Sequence, residues 1–227
     1  MKLTSVILAV AASGALAMPG TPDETQPSRR SVTQPWAGAV DEDRGWNFVT
    51  GTITVPNISG QNPSSAVAIW VGIDGLSCQN AILQTGLTFY GDGTIDNWFE
   101  WWPIQPQRYS QRFSARPGDK VRMTVNAWSY NSGNSTLENL TTGEKTVQEF
   151  RNMRYNLCLT DAEWIWEDFG QVQLANFGTV DFVDTHARGQ GGAADPSRAR
   201  IVNIVADGRQ KTQCGSNANG VRCQYTG

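Results

Sequence analysis

Lys120-Val121-Arg122-Met123-Thr124-Val125-Asn126-Ala127-Trp128 alternates apolar and polar residues behind the turn-forming Arg116-Pro117-Gly118-Asp119. Successive side chains of a strand point to opposite faces, so Val121, Met123, Val125 and Ala127 are expected to meet a core while Lys120, Arg122, Thr124 and Asn126 meet water. The same reading repeats over residues 51–55, 66–73, 81–89, 96–102, 135–140, 145–150, 172–177, 179–184 and 199–205. Gly, Asn, Asp and Pro divide these segments, as expected for turns between antiparallel strands. So many short strands in one domain predict an all-β chain, two antiparallel sheets packed as a sandwich. Thr160-Asp161-Ala162-Glu163 ahead of Trp164-Ile165-Trp166 has the form of a helix capping box. It is still read as a strand, because the aromatic and β-branched run gathers no helical apolar face and Gly170 ends it early.

Outward from these strands, the N-terminus reads as processing signals. Lys2, an apolar run over 6–12 and Ala15-Leu16-Ala17 predict a signal peptide over residues 1–17. The run is broken by Ser13 and Gly14 and falls short of the ~20 apolar residues of a membrane span. Residues 18–30 are rich in Pro, Thr, Ser and charge and end at Arg29-Arg30, the pattern of a short propeptide, which leaves one folded domain over 31–227. The chain has 18 basic and 21 acidic residues; removing 1–30 takes away Lys2, Arg29, Arg30, Asp23 and Glu24, for a mature net charge of about −4. No basic patch suited to phosphates is visible, so nucleic acid is not an expected partner, and the mature chain is expected to be a secreted monomer without membrane contact.

Cys78, Cys158, Cys214 and Cys223 are an even set in a chain read as secreted, with no C-x-x-C spacing and no clustered histidines, which favours disulfides over metal. Four cysteines allow three connectivities. The near pair Cys214–Cys223 would close a hairpin around Gly215 and Gly220, leaving Cys78–Cys158 to staple distant segments. A loop of that length is worth roughly 4–5 kcal/mol in the chain-entropy model. Asn57, Asn134 and Asn139 begin glycosylation sequons, whereas Asn62 is excluded by the proline after it.

The only histidine, His186, sits beside Arg188-Gly189-Gln190-Gly191-Gly192 and no nucleophile elbow accompanies it, so it reads as a surface residue. No H-E-x-x-H motif offers a zinc site. What remains is carboxylates and amides among tryptophans. Alternation in Asp96-Asn97-Trp98-Phe99-Glu100-Trp101-Trp102-Pro103 puts Asp96, Trp98, Glu100 and Trp102 on one face, a mixture suited to gripping an extended polymer. Trp70, Gly72 and Asp74 likewise share a face, as do Glu163, Ile165 and Glu167. Gln84 is an uncharged amide within the apolar run Ala81-Ile82-Leu83-Gln84-Thr85-Gly86 and must find a hydrogen-bond partner there.

Five motifs in order resemble the fungal glutamic peptidases, the eqolisins: Trp70-Val71-Gly72-Ile73-Asp74-Gly75, Ala81-Ile82-Leu83-Gln84-Thr85-Gly86, Trp98-Phe99-Glu100-Trp101-Trp102-Pro103, Glu138-Asn139-Leu140-Thr141-Thr142-Gly143 and Ala162-Glu163-Trp164-Ile165-Trp166-Glu167-Asp168-Phe169. Trp36-Ala37-Gly38-Ala39-Val40 and Gly51-Thr52-Ile53-Thr54-Val55-Pro56 resemble the family's opening strands. The resemblance implies a concanavalin A-like sandwich of seven strands per sheet, acting in acid on proteins or peptides without metal or cofactor. It implies Gln84 and Glu167 as the catalytic pair and Trp36, Asp74, Asp96, Trp98, Glu100 and Trp102 as substrate-binding residues, with Asp74, Asp96 and Glu100 raising one another's pKa by like-charge repulsion. It also places the family's long-range disulfide on Cys78 and Cys158. Trp102 stands where the family often has tyrosine, Trp166 where an aliphatic residue is usual, and the propeptide is short. The rival readings are a polysaccharide hydrolase or lyase on a similar sandwich, which needs a second carboxylate opposite Glu167, and a noncatalytic carbohydrate-binding module.

Overall fold

The computed structural model describes residues 31–42 and 45–227. The signal-peptide and propeptide expectations, which concern residues 1–30, lie outside the described residues. In chain order the first strands are β1 (Val32–Gln34), β2 (Trp36–Glu42), β3 (Trp46–Thr54), β4 (Ala66–Ile73), β5 (Ile82–Tyr90) and β6 (Ile95–Trp102). They are followed by β7 (Lys120–Ser129), β8 (Ser132–Asn139), β9 (Lys145–Phe150), β10 (Asp161–Glu167), β11 (Thr179–Gly189) and β12 (Gly192–Ala194). A 3-10 turn, Pro196–Arg198, precedes β13 (Arg200–Val202), β14 (Val205–Ala206), β15 (Arg209–Gln210), β16 (Thr212–Asn217) and β17 (Gly220–Tyr225).

Two antiparallel sheets make the sandwich. One has six strands in the order β13-β2-β10-β4-β5-β6, the other runs β16-β17-β11-β3-β7-β8-β9 with β12 paired to β11, and β1-β14-β15 form a small third sheet. The expectation of seven strands in each of two sheets is corrected to six and eight with that three-stranded appendage. The short edge pairs that make the difference carry too few residues to show alternation. On β7, Val121, Met123, Val125 and Ala127 are all buried, while Arg122, Thr124 and Asn126 are half-exposed on the other face, as the alternation predicts. Between the sheets, Ile69, Val71, Leu83, Leu87, Trp164 and Trp166 meet Val49, Ile53, Met123, Val125, Leu137 and Phe182 in one core. Trp164 Nε1 crosses the layers to the Thr50 carbonyl at 2.8 Å, and Trp166 packs edge-on against Phe182.

The run 172–177, expected as a strand, is not one. Leu174, Ala175 and Phe177 are buried, yet the segment meets the sheet only through a single parallel bridge between Leu174 and Ala66. Its apolar residues close one end of the core instead of joining a ladder. The run 199–205 is divided at Asn203, whose Oδ1 accepts from the Cys214 N–H at 2.9 Å and holds the chain between β13 and β14.

Both disulfides form as expected, Cys78 with Cys158 and Cys214 with Cys223, the latter pair directly opposite in the β16–β17 hairpin. Among the described residues no helix is long and apolar enough to cross a membrane.

Candidate active site

The register of the six-stranded sheet brings the site together. Glu163, Gly72, Gln84 and Glu100 align in one row across β10, β4, β5 and β6. Two residues along, Ile165, Trp70, Gly86 and Trp98 make the next row, and Glu167, Ala68, Thr88 and Asp96 the one after, with Trp36 of β2 opposite Glu167. Strand alternation turns all of these to the face away from the shared core. A groove of about 930 Å³ lies over that face, and Trp36, Gln84, Asp96, Trp98, Glu100, Trp102 and Glu167 line it.

Glu167 is the last residue of β10, where the strand reaches the groove. The Trp70 indole Nε1 donates to its Oε2 at 2.9 Å, and Trp36, packed edge-on against Trp70 at 5.1 Å, adds a second indole hydrogen bond. Burial raises the Glu167 pKa, with a smaller push from Asp168, and the two indole donors oppose that rise. Gly72 is what admits the Trp70 ring: a Cβ there would stand 2.7 Å from it.

Gln84 is almost fully buried, and its Nε2 donates to Glu100 Oε2 at 2.7 Å. Its Oε1 is buried without a partner. Burial, then the charge of Glu167, push the Glu100 carboxyl up to about 7, against the pull of the Gln84 N–H. Further along the groove, Arg108 binds Asp96 at 2.6 Å and Tyr90 Oη donates to the same carboxylate at 3.3 Å. Trp98 Nε1 donates to Thr88 Oγ1 at 3.0 Å, and Trp102 and Phe169 stand exposed at the rim.

Of the eight residues expected to act together, seven meet in this groove. Asp74 does not. It follows the end of β4 with a left-handed φ of 66°, which turns its side chain off the strand face. Its carboxylate instead accepts from the backbone N–H groups of Cys158, Leu159, Thr160 and Asp161 at 2.7, 2.9, 2.7 and 3.2 Å, fully buried beside the Cys78–Cys158 bridge. Burial still raises its pKa above the ordinary aspartate value. The mutual repulsion expected among Asp74, Asp96 and Glu100 is therefore corrected: the charge that acts on Glu100 is that of Glu167.

Trp70 and Arg108 were absent from the expected set. Trp70 shares its strand face with Gly72, which pointed to the groove, but only the three-dimensional register shows that its indole reaches Glu167. Arg108 lies in a loop, where no periodicity applies. His186 is exposed on the opposite sheet, stacked on Phe48 at 5.4 Å. Asn139 is corrected as a glycan acceptor: it is buried, and its Nδ2 donates to the Ser114 carbonyl at 2.9 Å and to Asp119 Oδ2 at 2.8 Å. Asn57 is exposed and Asn134 half-exposed. Among the described residues no three His, Cys, Asp or Glu side chains are grouped to hold a metal ion.

The family model for the Peptidase A4 family matches residues 34–225. This chain belongs to that family. The match covers the whole sandwich, including both strands that carry Gln84 and Glu167. Scytalidopepsin B of Scytalidium lignicola is 38% identical over 207 residues, covering 86% of this chain and 79% of that protein. Aspergillopepsin-2 of Aspergillus niger is 37% identical over 217 residues, 84% of this chain and 77% of that protein. A crystal structure of scytalido-glutamic peptidase with a peptide-based transition state analogue superposes with a TM-score of 0.81 at 38% identity, over 86% of this chain and 100% of that one. Aspergilloglutamic peptidase from Aspergillus niger gives 0.67 at 38% identity, over 71% and 99%. The chain is thus an eqolisin, a hydrolase of the acid peptidase type.

Proposed function

We propose that the mature chain, residues 31–227, is a secreted acid endopeptidase in which Glu167 and Gln84 hydrolyse peptide bonds by direct attack of water. The observation that carries this reading is the pairing of Glu167, gripped by indole N–H groups, with a buried amide on the same sheet face and over the same groove. As a carboxylate, Glu167 takes a proton from water while that water attacks the scissile carbonyl, then returns it to the departing amine. Its raised pKa makes it a stronger base than a solvated glutamate. Gln84 donates Nε2–H to the developing oxyanion, and its amide carries the same charge at every acid pH. Neither step calls on a metal or cofactor. Trp36, Trp98 and Trp102 offer stacking surfaces to an extended peptide along the groove, and Asp96, held by Arg108, supplies a polar end to it. Membership of a peptidase family favours peptides over glycans in this groove.

The test is kinetic, with casein and glucans offered side by side at acid pH. Glu167→Gln is expected to abolish casein cleavage with little change in melting temperature, because an amide cannot carry the proton. Gln84→Ala should lower kcat by about 10²–10³ with KM nearly constant, since the oxyanion exists only in the transition state. Casein cleavage by Glu167→Gln, or glucan cleavage by the wild type, would overturn the reading.

A further inference from the structure

Among the described residues Arg108 is the one cation that lines the groove, and the sandwich holds its loop on both sides. Its neighbour Gln107 exchanges two backbone hydrogen bonds with Phe99 of β6, each 3.0 Å long. On the other side Tyr109 is buried, packs edge-on against Phe99 and shares hydrogen bonds with Thr85 Oγ1 at 2.7 Å and Ser135 Oγ at 2.8 Å. The backbone of Arg108 is thus fixed beside β6, and its side chain meets Asp96, whose two oxygens both lie 2.6 Å from Nη2. Tyr90 Oη also donates to that carboxylate, and only 19% of the Asp96 side chain meets solvent, against 72% for Arg108. Among the described residues the Nε and Nη1 groups of Arg108 have no hydrogen-bond partner. A substrate reaching this end of the groove therefore meets a cation with unused N–H groups before it meets the aspartate.

We propose that Arg108 sets a substrate preference: it binds an acidic side chain of the peptide three to four residues from the scissile bond and turns that end of the groove against basic ones. This rests on the reading of the groove as a peptide site with Gln84 and Glu167 at its centre. Asp96 precedes Glu100, the hydrogen-bond partner of Gln84, by four residues on β6, a separation of about 13 Å at ~3.3 Å per residue. An extended peptide lying in the groove advances at the same rate, which fixes the distance from the scissile bond. A substrate carboxylate accepts from the free guanidinium N–H groups in charge-assisted hydrogen bonds, while Asp96 behind them keeps the guanidinium in place. A lysine or arginine at the same position meets like charge before it can reach Asp96.

The test uses the mature protein and sets of three peptides that differ at one position, which carries Glu, its uncharged isostere Gln, or Lys. That position is moved in turn over the four residues on either side of the scissile bond, at pH 5, where a free glutamate side chain is mostly ionised. At one position kcat/KM for the Glu peptide should exceed that for the Gln peptide by about three- to fivefold, with Lys below Gln, and high salt should narrow the gap. Arg108→Ala should erase the Glu preference there and, by uncovering Asp96, place Lys above Gln, whereas Arg108→Lys should keep the Glu preference in part. Equal rates for Glu and Gln at every position overturn the proposal. So does a Glu preference that survives in Arg108→Ala, or a loss in that variant that is uniform across the three peptides, as a merely structural role would give. Binding of the same peptides to Glu167→Gln, followed by calorimetry, gives the Glu-to-Gln ratio without turnover, so a failed catalytic reading and a failed Arg108 subsite are told apart.

Discussion

Asp74 carries more of the framework than of the chemistry. One buried carboxylate accepts from four consecutive backbone N–H groups and from Thr160 Oγ1 at 3.0 Å, tying the end of β4 to the start of β10. Removing it leaves those donors without a partner in a site closed to water, so Asp74→Ala should cost at least about 2–3 kcal/mol in denaturant unfolding, shown as a lower midpoint. Activity per folded molecule should fall far less than in Glu167→Gln; equal losses would return Asp74 to the catalytic machinery. Alternation along 68–74 put Asp74 on the groove face correctly for a continuous strand, but a left-handed residue at the strand end breaks the period, and no residue type announces that. Gln84 was legible for the opposite reason: an amide in an apolar run is conspicuous wherever the strand lies.

β10 is the element on which the site depends. It is flanked by β2 and β4 and packed on both faces, which is why all its residues but Glu167 are buried. The capping-box pattern before it has no helix to cap, because Thr160 gives both its N–H and its hydroxyl to Asp74. Next to it, Gly72 on β4 leaves the space that the Trp70 indole fills on its way to Glu167. Gly72→Ala should push that ring aside, at a cost of about 1–3 kcal/mol in stability. Losing the indole donor raises the pKa of Glu167 further, so the acid limb of the kcat/KM profile should shift to higher pH. An unshifted limb would mean that the indole does not tune the base. The strand faces could be read from alternation, but the rows could not, since they arise from pairing between segments far apart in the chain.

Among the described residues, several buried or half-buried carboxyls have pKa values above their ordinary ones: Glu163 well above 4.5, Glu100 at about 7, Glu167 and Asp74 raised. Burial is the first cause in each case. In the unfolded chain these groups ionise near 4, so between that pH and their folded values the native state binds more protons. Their contribution is therefore complete below about pH 4 and is lost as pH rises, for Glu100 up to about 7. The melting temperature should fall from pH 4.5 to 7, and Glu163→Gln, which removes the most deeply buried of these carboxyls, should flatten the fall. A melting temperature that climbs over this range would contradict the assignment. The all-β sandwich was readable from periodicity, and the disulfides from the even cysteine count, the hairpin spacing of Cys214 and Cys223 and the family resemblance, whereas the division into six, eight and three strands was not.

The order β2-β10-β4 has a consequence in time. During synthesis Gln84 leaves the ribosome long before Glu167, and the strands that will flank β10 are both made before it. The six-stranded sheet cannot close until this late segment enters between two earlier ones, and until then the two halves of the proposed catalytic pair share no groove. A nascent or half-folded molecule therefore carries no working protease, and the last central strand to arrive is the one that arms it.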